Sequence, residues 1–473
     1  MNNFYRHTRV WLLTVLISLC VIAIQPSYAR AVKDSIAFIH VNVIPMDRER
    51  VLTDQTVIIR NGRITNIGPS SQVSVPAGIA KIEGAGKYLI PGLSDTHIHL
   101  WGPTMNGMFP PAAQLPADKI DIGQMLFLYI ANGVTSVHEM FGQPEHLRVR
   151  DRIKKGEIIG PNLTLARLID GPKKAWPPPI STWVNTQEEA RQAVLKAKNM
   201  GFDAIKVYSF LSKESYDAII ATAKEVGMPV IGHIPVELSV EYVLKAGQKN
   251  IVHTEEIIRY AKGNYSQEQI DYYAKTIAES GIWIAPTLIT NRRILELFEK
   301  KDNFQASPKA RFSHPLTLGV MFYLNSTRYQ KISPEHRLYI KNGFEQLQIP
   351  ITKALQDNGV KLLAGTDAGL PGIFPGYSLH AELEELVGAG LTPYQALKAA
   401  TAHPAEYLGE LDVAGTVDAG KRADLVLLEK NPLKDITNTR KISGVMIKGR
   451  WLPASEIQKK LDELAVLYKT FRK

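Results

Sequence analysis

A single cysteine, Cys20, stands in 473 residues, and that near-absence removes several chemistries at once. A disulfide framework needs paired thiols, and a thiolate nucleophile or thiolate-bound metal needs at least one in the folded body. Cys20 sits inside an apolar run over residues 10–24, with Leu19 before it and Val21-Ile22-Ala23-Ile24 after it. A lipid-attachment cysteine would follow a small residue near the end of such a run. Long apolar runs are missing from the rest of the chain, so nothing beyond residue 24 reaches the ~20 residues a membrane span requires. Low-complexity sequence is limited to Pro177-Pro178-Pro179. The balance of 45% hydrophobic and 22% charged residues describes a globular chain with a core rather than a disordered one.

The apolar run belongs to an export signal. Arg6 and Arg9 precede it, and Ser27-Tyr28-Ala29 offers small residues around a cleavage point. Residues 1–29 are read as a signal peptide and the mature protein as periplasmic or secreted, without stable membrane insertion; the alternative is an uncleaved anchor. The formal charge is +10, but the basic residues are scattered and lack aromatic interleaving. Nucleic acid is therefore not an expected partner. A homo-oligomer is compatible with the sequence.

Two β-rich segments flank a different centre. Residues 37–45, 56–60 and 64–67 read as strands, with Asn61-Gly62 as a hairpin turn whose residues both tolerate positive φ. The texture returns at 415–417, 424–428 and 445–451, with Lys448-Gly449 as a turn. The segments 30–90 and 411–455 are expected to form one small β-sandwich from both chain ends, and 456–473 a C-terminal helix. Between them a phrase repeats: helix, glycine, then a short apolar run closing on a polar residue. It appears at Gly133 to His138, Gly201 to Lys206, Gly227 to His233, Gly247 to His253, Gly281 to Thr287 and Gly359 to Asp367. Thr186 and Glu189 frame one of the helices as a capping box. Alternating helices and short buried strands imply parallel βαβ units, and the fold expected for 91–410 is α/β, a (β/α)8 TIM-type barrel. Polar residues closing the strands mark the C-terminal mouth, where such barrels place their active sites. Residues 290–356 are too long for one helix and read as a helical lid.

The chemistry gathers at those strand ends. His97 and His99 lie two apart in Asp95-Thr96-His97-Ile98-His99, so a strand presents both imidazoles on one face. Neutral imidazole is the commonest transition-metal ligand. His233, His253 and Asp367 each close a repeat of the phrase. Lys206 closes another, and an ammonium would repel a cation. It is either a neutral amine able to form Schiff bases, a lysine snorkelling to solvent, or a carbamate formed with CO2. The carbamate, whose two oxygens can bridge two ions, is the reading preferred beside four histidines and a carboxylate.

These residues, together with Leu89-Ile90-Pro91-Gly92, Gly365-Thr366-Asp367-Ala368-Gly369 and Gly420-Lys421-Arg422-Ala423-Asp424, resemble the amidohydrolase superfamily, in its imidazolonepropionase-like and Xaa-Pro dipeptidase-like branch. The resemblance spans nearly all of the mature chain. It implies two divalent metal ions, zinc by preference, with His97, His99 and Asp367 on the more buried one and His233 and His253 on the outer one. Lys206, as N6-carboxylysine, would bridge them. It also implies hydrolysis of C–N amide bonds by a metal-bound hydroxide, with Asp367 as the catalytic proton carrier. Dipeptides or N-acyl amino acids are the expected substrates. The alternatives are cyclic amides of imidazolone or hydantoin type, lactones or phosphotriesters, and a non-catalytic metal-binding barrel.

Two departures bear on substrate rather than metal. Val137-His138-Glu139 stands where arginine and aspartate are expected, and Trp176-Pro177-Pro178-Pro179 lacks the histidine-and-glycine texture of relatives. His138 and Tyr208 are named as substrate-contact candidates, each with a packing role as the alternative. His40, His146, His314 and His336 read as surface or structural, and His380 and His403 as residues that cap or pin helices.

Overall fold

The computed structural model describes residues 35–109, 111, 114–172, 176–300 and 304–471; the expected signal peptide and Cys20 lie outside them. The N-terminal part supplies β1 (Ser35–Val43), β2 (Leu52–Arg60), β3 (Arg63–Pro69), β4 (Ala80–Glu83) and β5 (Tyr88–Pro91). Asn61 and Gly62 both take positive φ, 50° and 74°, which gives the two-residue turn the twist that β2 and β3 need. β1 serves two neighbours on one side, since Ile36–Ile39 pair with β4 and Asn42–Val43 with β5.

Seven parallel strands then build the barrel: β6 (Leu93–Ile98), β7 (Val134–Glu139), β8 (Asn162–Asp170), β10 (Ala204–Val207), β11 (Val230–Gly232), β12 (Asn250–Val252) and β13 (Trp283–Ala285). The two-residue β9 (Thr182–Trp183) pairs only with β8. Residues 361–368 form the eighth wall through single bridges, Ile284 to Leu362 on one side and Ile98 to Ala368 on the other. Thr96 N donates to Ala364 O at 2.9 Å and Leu363 N to Ile284 O at 2.8 Å, closing the circle. The chain is thus a TIM-type barrel joined to a mixed sheet, as expected. β8 is the strand the repeated phrase misses. It enters from Gly160-Pro161 and reads Leu-Thr-Leu-Ala rather than as a β-branched run.

Helices between the strands are delimited as their sequences dictate. Thr186 Oγ1 accepts from Glu189 N at 3.1 Å to start helix Gln187–Met200, and Gly201 ends it at φ 91°. Six small or apolar side chains, Ala166, Ala204, Ile231, Val252, Ala285 and Leu363, pack with Met140 and Tyr407 as one cluster inside the barrel. Two residues beyond Ala204 and Ile231 stand Lys206 and His233, so strand alternation points both to the same interior one layer higher. Residues 288–357 form helices Leu288–Lys300, Pro315–Thr327, Pro334–Gly343 and Ile349–Asp357. The last two join through a π-helical turn, Phe344–Gln348, just before Pro350, which has no N–H to continue the regular ladder.

The C-terminal part returns to the first sheet. β14 (Leu425–Leu428) pairs antiparallel with β5, β15 (Ile442–Ile447) with β14, and β16 (Arg450–Pro453) with β15. Lys448 and Gly449, at φ 51° and 81°, make the expected turn. Residues 415–417 correct the sequence reading. They form no strand; Val417 N donates to Pro45 O at 3.0 Å and its side chain fills the sheet's own core. Helix Ala454–Phe471 ends the described chain. Among the described residues no helix is long and apolar enough to cross a membrane.

Candidate active site

His97 and His99 leave β6 side by side, buried, with ring centroids 5.2 Å apart. Asp367 comes from the opposite wall, where the chain turns with φ 61° at Asp367 and 105° at Gly369. Its amide donates to His97 O at 2.8 Å, and its Oδ1 lies 2.7 Å from His99 Nε2 and 3.2 Å from His97 Nε2. One ligand atom from each of the three fits within 4.8 Å of the others.

Lys206 stands one residue before the end of β10 at 1% exposure, with Nζ 3.1 Å from His97 Nε2. A lysine reaching for solvent is excluded by that placement. Burial lowers its amine to about 8, so the neutral form is far more accessible near neutral pH than in a free lysine, although the ammonium still predominates at pH 7. The His253 ring sits 4.6 Å from that of His97, and the His233 ring 4.9 Å from that of His253. All six residues singled out as ligands therefore meet at the barrel mouth. Burial holds the imidazoles uncharged, His99 at about 4 and His253 at about 3, with His97 and His233 also lowered. Burial raises Asp367, but His97 and His99 outweigh it and keep the carboxyl well below the usual range.

Each outer imidazole is oriented from behind. His233 Nδ1 meets Glu256 Oε1 at 3.0 Å, and Glu256 also accepts from Ile234 N at 3.2 Å and from Arg259. Glu256 is driven down to about 2, with His233 and Arg259 overcoming burial. His233 Nδ1 therefore carries the proton, leaving a lone pair on Nε2. Thr287 Oγ1 donates to Pro286 O at 2.7 Å, so it accepts from His253 Nδ1, also at 2.7 Å. That leaves His253 Nε2 as a lone pair too.

Several residues the sequence reading passed over hold this frame. Asp95 accepts from Thr366 Oγ1 at 2.6 Å, Thr366 N at 3.1 Å and His97 N at 3.3 Å, riveting the first wall to the eighth. Glu139 accepts from Leu100 N at 2.6 Å and Phe141 N at 2.8 Å, and Phe141 stacks on His99 at 3.8 Å. Glu382 accepts from Leu288 N and Ile289 N, 3.1 and 2.7 Å away, directly after Thr287. Asp95 did carry a sequence signal, since the two-residue alternation extends back from His97 to it. The others pair across distances in the chain that no local pattern encodes.

Above the cluster lies a cavity of about 760 Å³, lined by His99, Lys206, His233, His253 and Asp367 on its floor. Phe141, Trp176 and Tyr208 form one wall, and residues of the 288–357 segment, among them Asn291, Arg328, Tyr329 and Ile340, form another. Tyr208 reaches the cavity with its ring 4.0 Å from that of His233. His138 does not line it: its ring faces Tyr407 at 6.0 Å within the lower barrel. His336, read as surface or structural, stands on the cavity lining beside Tyr339, ring centroids 5.6 Å apart. His403 pins its helix through Nδ1 to Leu362 O at 2.9 Å, and His146 and His314 accept from backbone N–H groups at helix starts.

A barrel whose strand ends gather four histidines, a lysine and an aspartate beneath a deep cavity defines a class of hydrolase, and comparison with known proteins agrees. The model of the amidohydrolase family matches residues 88–452, and the chain belongs to that family. Ochratoxinase of Aspergillus niger is 24% identical over 392 residues, 74% of this chain and 71% of that protein. A putative prolidase from Bifidobacterium longum superposes with a TM-score of 0.69 at 26% identity, over 91% of this chain and 98% of that one. A bottromycin amidohydrolase shares the fold at a TM-score of 0.70 and 22% identity, covering 92% of this chain and 91% of its own.

Proposed function

We propose that the chain is an exported, metal-dependent amidohydrolase that cleaves the C–N bond of dipeptides or N-acyl amino acids. The observation that carries this reading is the meeting of His99, Lys206, His233, His253 and Asp367 on the floor of one cavity, with His97 buried just beneath them against Lys206 and Asp367. Their donor chemistry fits divalent cations. His233 Nε2 and Asp367 Oδ1 are buried with no hydrogen-bond partner among the described residues, and Asp367 Oδ1 lies 2.7 Å from His99 Nε2 and 3.2 Å from His97 Nε2. Buried polar atoms normally find partners, and a cation supplies one to several at once. Nitrogen and oxygen donors without sulfur suit zinc.

His97, His99 and Asp367 would hold one ion, His233 and His253 the other, with Lys206 as a carbamate between them. Forming that carbamate requires a neutral amine, which burial favours at Lys206. Bound there, such ions supply an activated water and charge stabilisation for the carbonyl oxygen. The chain's own residues do the rest. Asp367, ionised and at the cavity floor, accepts a proton from the attacking water and returns it to the departing amine. Glu256 and Thr287 keep the outer imidazoles in the tautomer that turns Nε2 inward. Phe141, Trp176 and the 288–357 segment limit bulk water around the reacting bond.

The similarity to a protein described as a putative prolidase supports small peptides as substrates, and an exported enzyme meets them. Screening the purified protein against a library of dipeptides and N-acyl amino acids, with and without chelator, tests the proposal. Chelator-sensitive release of a free amino acid is expected. No turnover of any amide by metal-loaded protein would overturn it.

A further inference from the structure

The cavity holds two guanidinium groups with different fates. Arg259 is committed, donating to Glu256 and, at 3.2 Å, to Ile234 O. Arg328 caps the C-terminal end of helix Pro315–Thr327, with φ −115° and ψ −66°, and its side chain lines the cavity. The residue is solvent-exposed, its guanidinium carbon lies 5.5 Å from the centroid of the Tyr329 ring, and it forms no hydrogen bond or ion pair with another described residue. Glu256, by contrast, is satisfied by His233, Ile234 and Arg259. A planar, always-charged donor fork left open above a reaction centre matches the geometry of a carboxylate.

We infer that Arg328 is the binding site for a free carboxylate on the amine side of the scissile bond, so that the substrates are N-acyl amino acids or peptides cleaved at their C-terminal residue. This rests on the amide-hydrolase reading and adds which end of the substrate is held. In a dipeptide or an N-acyl amino acid, the backbone carboxylate belongs to the residue that leaves as the amine. Hydrolysis breaks the carbonyl C–N bond and forms a C–O bond to water, and the proton passes to the departing nitrogen. Substrate and amino-acid product therefore both retain the carboxylate that Arg328 grips. Tyr329, Ile332 and Ile340 beside it on the cavity wall favour an apolar side chain on that residue.

The test compares N-acetyl-L-phenylalanine with N-acetylphenethylamine, the same amide without the carboxylate, in the wild type, Arg328→Met and Arg328→Lys. A hydrogen bond between charged partners is worth about 10- to 100-fold in affinity. The wild type is expected to favour the acid by at least that factor in kcat/KM, chiefly through KM. Arg328→Met should collapse the preference to within about threefold, and Arg328→Lys should recover part of it. An undiminished preference in Arg328→Met, or equal losses on both amides, overturns the assignment. Calorimetric binding of the product acid L-phenylalanine, compared with phenethylamine, reads the subsite without turnover. If the wild type hydrolyses neither amide, the amidase reading fails, while equal affinity of wild type and Arg328→Met for the acid sinks the carboxylate site on its own.

Discussion

Glu256 and Thr287 decide which nitrogen of each outer imidazole faces the cavity. Replacing Glu256 by Gln keeps the shape but removes the charge that stabilises a proton on His233 Nδ1. Metal affinity should fall about 10- to 100-fold, measurable by competition with a chelator of known strength; an unchanged affinity would detach Glu256 from the site. Lys206→Ala removes the proposed bridge and should abolish turnover, whereas wild-type-like activity in that variant rules out the carbamate. The six proposed ligands were legible because each closes a strand with a residue that packing alone would not select. Their supports were not. Asp95 and Thr366 are 271 positions apart in the chain, and Leu100 and Glu139 are 39 apart, so these partnerships exist only once the barrel has closed.

Strand ends carry unusual backbone. His253, Thr287 and Asp367 have φ of 68°, 53° and 61°, a left-handed conformation that is unfavourable for residues with a Cβ. All three stand at the mouth of the barrel and contribute to the cluster or its support, the setting in which stored strain is usually functional. Gly232 solves a related problem at the end of β11. Its φ is 125°, and a Cβ there would lie 2.2 Å from Val207 O and 3.2 Å from Lys206 Cγ. Gly232→Ala is therefore expected to destabilise the fold by about 2–4 kcal/mol and to lower activity by displacing Lys206 and His233. A denaturant midpoint equal to the wild type's would contradict this. The barrel was readable from its repeated helix–glycine–strand phrase, and β11 is one copy of it. β8 escaped because leucine-rich strands resemble helix segments when no alternation is visible. The eighth wall was placed correctly although it pairs through bridges alone, since Gly365 to Gly369 turns the chain away immediately after Ala364.

At the scale of the molecule, burying so many titratable groups sets a pH window for the metal-free protein. Histidines whose folded pKa is depressed, such as His99, His138 and His314 at about 4 and His253 and His380 at about 3, bind their proton less readily than the ordinary value of 6.5. Burial is the leading cause for each. Their stabilising contribution is present above pH 6.5 and is lost as pH falls toward 4. Buried carboxyls act oppositely. Burial raises Asp95 to about 7 and Glu139 and Glu382 to about 8, so stability declines as pH rises from the ordinary carboxylate range through those values. The depressed histidines outnumber the raised carboxyls, so metal-free stability should climb between pH 4 and about 6.5 and then decline toward 8. Thermal melts across that range measure it, and a monotonic rise to pH 8 would contradict the balance.

The proposal that six distant side chains hold two cations has a direct measurement: metal content of the purified protein after expression with added zinc. Two equivalents per chain are expected, falling toward one in Glu256→Gln after dialysis against a weak chelator. A wild-type protein that retains no metal under the same conditions would contradict the binuclear site, and with it the hydrolytic chemistry built on it.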